Sequence, residues 1–334
     1  MRFAIVGCGR IGQKRLRALG STHRLVVAAD VVLERAQALA QQSNAHFLRL
    51  FPRTIATADW REAVEHVEAD AVIVATTNDM LAPIALAAIE RGKHVLVEKP
   101  AARSPEEIQP LIEASQRQKR CVQVGFNHRF HPALQKAREI FESDVLGPLL
   151  FVRGRYGHGG RLGYDREWRA MREISGGGEL LDQGVHLIDL ARWFLGDFAH
   201  VDGFAHTFFW DMQVEDNAFL TLRTAGQQTA FLHASCTEWK NLFSFEIYGR
   251  LGKLHIEGLG GSYGVERLSY YAMQPEMGPP PATIWEYRGE DTSWKLELDR
   301  FAAFAACGQT PNPGLREARA ALEIVAEIYR KSRP

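Results

Sequence analysis

Residues 3–12 read FAIVGCGRIG, four apolar residues followed by Gly7, Gly9 and Gly12 in a G-x-G-x-x-G pattern. The order is that of a buried strand that turns tightly into a helix, and in that context each glycine has its own task. Gly7 allows the turn, Gly9 lets backbone approach a pyrophosphate, and Gly12 lets the helix pack closely on the strand. The free amides of the helix start then receive the anion. About eighteen residues past Gly12, the next apolar run, 25–29, ends at Asp30. A carboxylate there accepts hydrogen bonds from the adenosine ribose hydroxyls and repels a 2′-phosphate. NAD is expected over NADP, with Arg35 the one nearby group able to reach a 2′-phosphate. Arg10 and Ile11 of the loop, and Val31 beside Asp30, complete this part of the expected cofactor-binding set. Cys8 is expected to pack inside the loop, where its place at the phosphates lowers a thiol pKa.

The rhythm around this motif sets the fold class. Short apolar runs at 3–6, 25–29, 71–75, 94–98 and 121–125 alternate with helix-like stretches at 12–19, 33–42, 60–67 and 81–91. Such alternation predicts an α/β Rossmann domain, a doubly wound parallel sheet with helices on both faces. Beyond about residue 125 the rhythm changes. A helix near 132–142 is followed by strand patterns at 149–155, 201–209, 217–224, 229–236, 243–248 and 253–257. One helix, over 179–194, interrupts them, and an amphipathic helix over 315–331 closes the chain. This is an α+β arrangement with a large, mostly antiparallel open sheet. The expected domains are residues 1–122 for the dinucleotide and 123–334 for the substrate and for oligomerisation.

Forty Lys and Arg against forty Asp and Glu give a formal net charge of zero, so no global field draws nucleic acid or an anionic membrane. A small-molecule partner is favoured. Cys8, Cys121, Cys236 and Cys307 are far apart and form no C-x-x-C pair, which predicts neither a zinc site nor a disulfide framework. Free thiols, a first apolar run too short for a signal segment and no span of roughly 20 apolar residues make a soluble, cytoplasmic protein the expectation.

Two further segments carry candidate chemistry. GKHVLVEKP, residues 92–100, runs through a buried strand to Glu98 and Lys99 at the C-terminal edge of the sheet, where ligands bind in doubly wound folds. Lys99 there can donate to a substrate hydroxyl and stabilise a developing alkoxide, while Pro100 can hold the turn through a cis bond. The plain alternative is a surface Glu–Lys pair worth little. GGGELLDQGVHLID, residues 176–189, places three flexible glycines before a helix. Asp182, His186 and Asp189 fall at i, i+4 and i+7, on one helical face. Oxidising a secondary alcohol needs a base for the hydroxyl proton, and histidine titrates in the right range. Asp182 can orient the substrate or tune the imidazole. The same spacing also suits a solvated polar stripe or a divalent metal site. Ahead of the glycines, Arg153, Arg155, Tyr156, His158, Arg161, Trp168, Arg169 and Arg172 suit a sugar ring, through aromatic faces and guanidinium forks. Surface charge and core aromatics are the alternative.

As a set, GCGRIG, Asp30, GKHVLVEKP, GFNHRFHPA (residues 125–133) and GGGELLDQGVHLIDLARWFLGD (residues 176–197) resemble the Gfo/Idh/MocA family of glucose-fructose oxidoreductases and inositol dehydrogenases. The resemblance implies that Lys99, Asp182 and His186 match the family's catalytic lysine, aspartate and histidine. It implies that Asn127 and Arg129 border the nicotinamide and the substrate, and that Tyr156, Trp168 and Arg169 contribute to substrate binding. It places Thr76, Thr77 and Asn78 on the nicotinamide-side loop, with Glu98 also among the cofactor-binding residues. It further implies a homodimer or homotetramer through the C-terminal sheet, and no metal. Where the family often has Thr-Pro-Asn and then His three residues on, this chain has Thr76-Thr77-Asn78 and Leu81. The implied activity is hydride transfer between NAD and a sugar, polyol or sugar derivative. Family members that hydrolyse glycosides through transient oxidation, without net redox change, give a second reading. A non-catalytic NAD(H)-binding regulator is a third, against which stands the presence of both Lys99 and His186.

Overall fold

The computed structural model describes residues 1–46 and 53–332, and the chain divides into two compact units. The first comprises Met1–Phe126 and Trp294–Ala320, the second Asn127–Ser293 and Ala321–Pro334.

In the first unit, six strands form one parallel sheet. They are β1 (Arg2–Val6), β2 (Arg24–Ala29), β3 (Ile55–Thr57), β4 (Ala71–Val74), β5 (His94–Glu98) and β6 (Val122–Gly125), in the order β3-β2-β1-β4-β5-β6. The order reverses at β1, and that switch point opens the crevice where doubly wound sheets bind ligands. The connecting helices are α1 (Arg10–Leu19), α2 (Leu33–His46), α3 (Trp60–Glu65), α4 (Asn78–Glu90) and α5 (Pro105–Gln118). Every residue of β4 is buried, as its unbroken apolar run requires of a strand covered on both faces. The three-residue edge strand β3 has no counterpart in the sequence reading.

The expected single cut at residue 122 needs correction. After the second unit the chain returns, and α9 (Ser293–Cys307) packs Leu298, Phe301 and Phe304 into the core formed by Phe3, Ile5, Leu19, Leu25 and Leu96. Farther on, Val124 donates its amide to the Pro313 carbonyl at 3.4 Å. Hydrophobic closure of one side of the sheet thus comes from residues more than two hundred positions downstream of those they cover, which no local pattern announces.

The second unit holds α6 (Pro132–Glu142), the short α7 (Arg172–Ser175) and α8 (Val185–Leu195). Its sheet has eight strands, β7 (Leu149–Gly157), β8 (Phe198–His206), β9 (Asn217–Thr224), β10 (Thr229–Ser235), β11 (Leu242–Gly249), β12 (Gly252–Glu257), β13 (Glu266–Ala272) and β14 (Ala282–Tyr287). Their order is β14-β13-β12-β11-β7-β10-β9-β8, antiparallel throughout except for the β7–β10 pair. Period-two alternation divides the faces. Val152, Gly154, Leu232 and Phe245 are buried, and α8 lies so close that a Cβ on Gly154 would come within 3.0 Å of the Leu187 side chain. The opposite face carries exposed Phe151, Phe204 and Phe231 together with Arg153 and Arg155. The sheet is therefore open on that side. Strands β13 and β14 and helix α9 are additions to the expected elements. The last helix, α10 (Leu315–Ser332), begins in the first unit and ends in the second.

Candidate active site

The glycine turn of the first unit is shaped by two closed positions and one open one. Gly7 has φ of +95°, and a Cβ there would lie 2.3 Å from the Ala75 carbonyl oxygen. At Gly12 a Cβ would lie 2.1 Å from the Gly7 carbonyl oxygen. A Cβ on Gly9, by contrast, meets nothing within 4 Å. The protein's own packing does not require Gly9 to be glycine, and the space before the helix amides stays open. Helix α1 starts at Arg10 with Gly9 as its cap and no acid in its first turn, so its positive end is left for an incoming anion. Arg10 is exposed and Ile11 half-buried at this start.

Asp30 is held from both sides, its Oδ2 accepting from the Cys8 amide at 2.8 Å and its Oδ1 from the Val32 amide at 2.9 Å. The carboxylate thus braces the turn at which the pyrophosphate would lie. Val31, 86 % exposed, presents an apolar surface beside it. These residues fit a dinucleotide. Cys8 packs inside the loop as expected, with its Sγ 3.4 Å from the Ala29 carbonyl oxygen. Its pKa goes the other way from expectation: burial, and then the Asp30 charge, push it up to about 12.

Beyond β4, Thr77 caps α4, and its hydroxyl donates to Asp79 Oδ1 at 2.6 Å, while Asn78 is buried in the first turn. Leu81, which stands where the family pattern has histidine, is completely buried. The departure serves core packing.

Glu98, expected among the cofactor-binding residues, is held in a buried ion pair. It accepts from Arg15 Nε at 2.6 Å, and Arg15 Nη1 donates to Glu297 Oε2, also at 2.6 Å. Arg15 is completely buried; burial works against its charge, but Glu297 and Glu98 outweigh that and raise its pKa. A Cβ on Gly125 would lie 2.8 Å from Glu98 Oε2, so the close approach requires glycine there. The carboxylate anchors the end of β5 to α1 and α9. Lys99 follows, half-buried, and the Lys99–Pro100 bond is cis, as the sequence reading allowed.

In the second unit, the helix expected over 179–194 begins with a π turn, Leu180–Gly184, that runs directly into α8. Such i→i+5 turns recur at functional sites. The expected one-face stripe is divided among three partners. Asp182 Oδ2 accepts from Arg169 Nε at 3.1 Å. His186 stacks on His128, ring centroids 3.7 Å apart and planes 17° from parallel. Asp189 Oδ2 and Oδ1 accept from Arg129 Nε and Nη2 at 2.7 and 2.6 Å in a buried, bidentate pair. Arg129, expected to border the nicotinamide and the substrate, ties the 3-10 turn Asn127–Phe130 to α8. Asn127, expected at the nicotinamide, donates its side-chain amide to Ser293 Oγ at 3.0 Å. Among the described residues no group of three or more His, Cys, Asp or Glu is placed to hold a metal ion, and both aspartates of the stripe are engaged by arginines.

Around Asp182 stand several of the aromatic and basic groups of the sequence reading. The Arg169 guanidinium lies 4.5 Å from the Trp168 ring. Burial opposes its charge, but Asp182 and Tyr164 outweigh this and raise its pKa. Tyr156 is buried, with its ring 4.9 Å from His128 and 6.1 Å from His186; burial and then Tyr263 raise its hydroxyl pKa well above the ordinary phenol value. His158 accepts at Nδ1 from the Gly160 amide at 2.9 Å. Burial lowers its pKa, so it is the neutral ring, protonated on Nε2. The other arginines follow the plainer reading: Arg153 pairs with Glu246, Arg155 with Glu238 and Arg161 with Glu167, while Arg172 donates to the Gln213 carbonyl.

The three glycines before the π turn are not a flexible run. A Cβ on Gly177 would lie 2.0 Å from the Tyr329 hydroxyl, and one on Gly178 would lie 1.9 Å from the Glu215 carbonyl oxygen. Glu215 caps the turn, accepting from the amides of Gly178 at 3.1 Å and Leu180 at 3.0 Å, and from the Tyr329 hydroxyl at 2.8 Å. Sequence reasoning missed Glu215, His128, Arg15 and Glu297. Of these only His128 had a visible signal, its place within GFNHRFHPA.

Comparison with known proteins adds an independent line. Residues 1–126 match the family model for the oxidoreductase family with an NAD-binding Rossmann fold, and residues 134–255 match the GFO/IDH/MocA C-terminal domain. Levoglucosan dehydrogenase of Pseudarthrobacter phenanthrenivorans is 35 % identical over 153 residues, 45 % of this chain and 39 % of that protein. D-glucoside 3-dehydrogenase of Escherichia coli is 30 % identical over 213 residues, 62 % of this chain and 58 % of that protein. The match thus spans less than two thirds of either relative's length. A solved structure of levoglucosan dehydrogenase in complex with NADH has a TM-score of 0.88 at 23 % identity, covering 99 % of this chain and 98 % of that one. Another, in complex with NADH and levoglucosan, has a TM-score of 0.87 at 23 % identity, covering 99 % and 97 %. At that identity the likeness shows the fold.

Proposed function

This chain belongs to the GFO/IDH/MocA oxidoreductase family, and on that footing we propose that it is an NAD-dependent oxidoreductase acting on a secondary alcohol or ketone of a sugar, polyol or sugar derivative. The observation that carries the reading is the glycine turn, where Gly7 and Gly12 are closed by backbone, Gly9 faces open space and Asp30 braces the rim. NAD held with its pyrophosphate at that turn would supply, through its nicotinamide, the hydride acceptor or donor.

The chain's own residues do the rest. Asp30 takes the ribose hydroxyls and, as a carboxylate, selects against a 2′-phosphate; Val31 offers an apolar face to the adenine. Lys99 polarises the substrate oxygen, His186 takes or returns its proton, and Asp182 orients the substrate with Arg169 and Trp168 beside it. The dehydrogenases of levoglucosan and D-glucosides among the relatives support a carbohydrate as the substrate. The open sheet face, with its exposed phenylalanines, supports a homodimer or homotetramer, which light scattering tests. The free cysteines support a reducing, cytoplasmic setting.

The deciding experiment follows NADH absorbance with polyols, aldoses and glycosides in both directions, for the parent protein and for Lys99→Ala and His186→Ala. Turnover should fall about 10²–10⁴-fold in each, with NADH affinity nearly unchanged in His186→Ala. Near-full turnover by His186→Ala would remove the proton-transfer role from that residue. Cleavage of a glycoside without net NADH change would assign transient-oxidation hydrolysis instead.

A further inference from the structure

Three loops meet at one end of the eight-stranded sheet, 158–164 after β7, 207–216 between β8 and β9, and 236–241 between β10 and β11. They assemble a run of rings that leads away from the candidate site. His158, whose Nε2 is 3.7 Å from Glu179 Oε1, packs edge-on against Tyr164 with centroids 5.4 Å apart. Tyr164 lies 5.6 Å from Trp210, Trp210 5.0 Å from Phe209, and Phe209 4.7 Å from Trp239. The near end of the run borders Asp182: burial, and then the charges of Glu179 and Asp182, raise the Tyr164 hydroxyl above the ordinary phenol range. The far end opens to solvent, with Phe209 57 % and Trp239 65 % exposed and their planes 83° apart, a flat face with a wall beside it.

These exposed rings are fixed in place. Asp216 accepts from the amides of Phe208, Phe209 and Trp210 at 2.9, 2.7 and 3.0 Å. The Trp210 indole donates to the Cys236 carbonyl at 3.0 Å, and its ring stands 2.4 Å from where a Cβ on Gly160 would lie. Trp239 has φ of +55°, in the left-handed region that bulky residues rarely adopt. Its neighbour Glu238 donates its amide to the His158 carbonyl at 3.0 Å and faces Arg155 at 3.3 Å, and a Cβ on Gly159 would lie 2.8 Å from Trp239 Cα. A backbone outlier that holds a large ring out in water points to a ligand for that ring. The two rings expose roughly 200–300 Å² between them, well short of the about 800 Å² per partner that a stable protein interface buries.

We propose that Trp239 and Phe209 form a second carbohydrate subsite, which takes the neighbouring ring of a disaccharide or longer glycoside whose terminal ring is oxidised beside Asp182 and His186. The proposal rests on the assignment of that site to a carbohydrate substrate. The C–H face of a pyranose is apolar and stacks on an indole, while its hydroxyls keep their water.

NADH formation with methyl glucoside, maltose, cellobiose and maltotriose, in the parent, Trp239→Ala, Trp239→Phe and Phe209→Ala, tests it. The parent should prefer at least one of the longer sugars to methyl glucoside. Trp239→Ala should lower that preference, as a ratio of kcat/KM, about three- to tenfold through KM, and Trp239→Phe should retain most of it. A parent without the preference, a ratio unchanged in both alanine variants, or dissociation of the assembly of Trp239→Ala in light scattering would overturn the proposal, the last by assigning the rings to a subunit contact. Should none of these sugars be oxidised, saturation-transfer magnetic resonance of the same sugars with the protein and NADH reads the subsite by itself. Contact with the second ring that is lost in Trp239→Ala would uphold the subsite while the oxidation reading fails, and no such contact in the parent would overturn the subsite.

Discussion

Removing Arg15 should be among the most damaging single changes to the first unit. Its guanidinium is completely buried between Glu98 and Glu297, with contacts of 2.6 Å to each, and the carboxylates are 8 % and 0 % exposed. Arg15→Met keeps much of the side-chain volume but leaves two carboxylates without their cation. Loss of one partner from a buried ionic network costs about 3–5 kcal/mol, mostly as the desolvation of the charges left behind. Urea denaturation analysed by linear extrapolation measures the loss, and Trp294, whose ring lies 4.6 Å from the Arg15 guanidinium, is a fluorescent reporter within the same unit. The triple variant Arg15→Met, Glu98→Gln, Glu297→Gln should recover most of the stability, since neutral amides carry a far smaller burial cost. A loss below about 1 kcal/mol in Arg15→Met would refute the reasoning, because it would mean that the carboxylates find water or another cation.

Other consequences follow from single positions. Gly9→Ala should leave unfolding within about 0.5 kcal/mol of the parent while weakening NADH binding at least about tenfold in a fluorescence titration, because its Cβ meets no protein atom but occupies the space before the helix amides. Gly178→Ala should cost about 2 kcal/mol or more in the urea assay, since a Cβ 1.9 Å from the Glu215 carbonyl oxygen forces the capped turn apart. Iodoacetamide at pH 8 should label Cys307 and spare the three buried cysteines, as read by peptide mass spectrometry. Burial pushes Cys8 and Cys121 up to about 12 and raises Cys236 as well, so their reactive thiolates are scarce at any pH below that value.

Much of the architecture could be read from the sequence because the signals that specify it are local. FAIVGCGRIG needs only its own neighbours to become strand, turn and helix, and Asp30 follows one strand later in the position that braces the turn. Unbroken apolar runs announced a sheet covered on both faces, and their absence after residue 125 announced a different, mostly antiparallel sheet. Lys99 at a strand end, and Asp182 and His186 one turn apart, were likewise visible as spacing and as motif. What the spacing does not contain is the partner of each group. Arg15 and Glu297 are 282 positions apart, and α9 joins a core begun at residue 3. Only the folded chain sets Glu98 against Arg15, gives Asp189 to Arg129, opens the helix with a π turn and lays His128 on His186. It also turns the glycine run, read from the sequence as flexible, into a packed seam against Glu215 and Tyr329. Periodicity specifies which face a residue takes on its own element; long-range packing and charge pairing decide what that face meets.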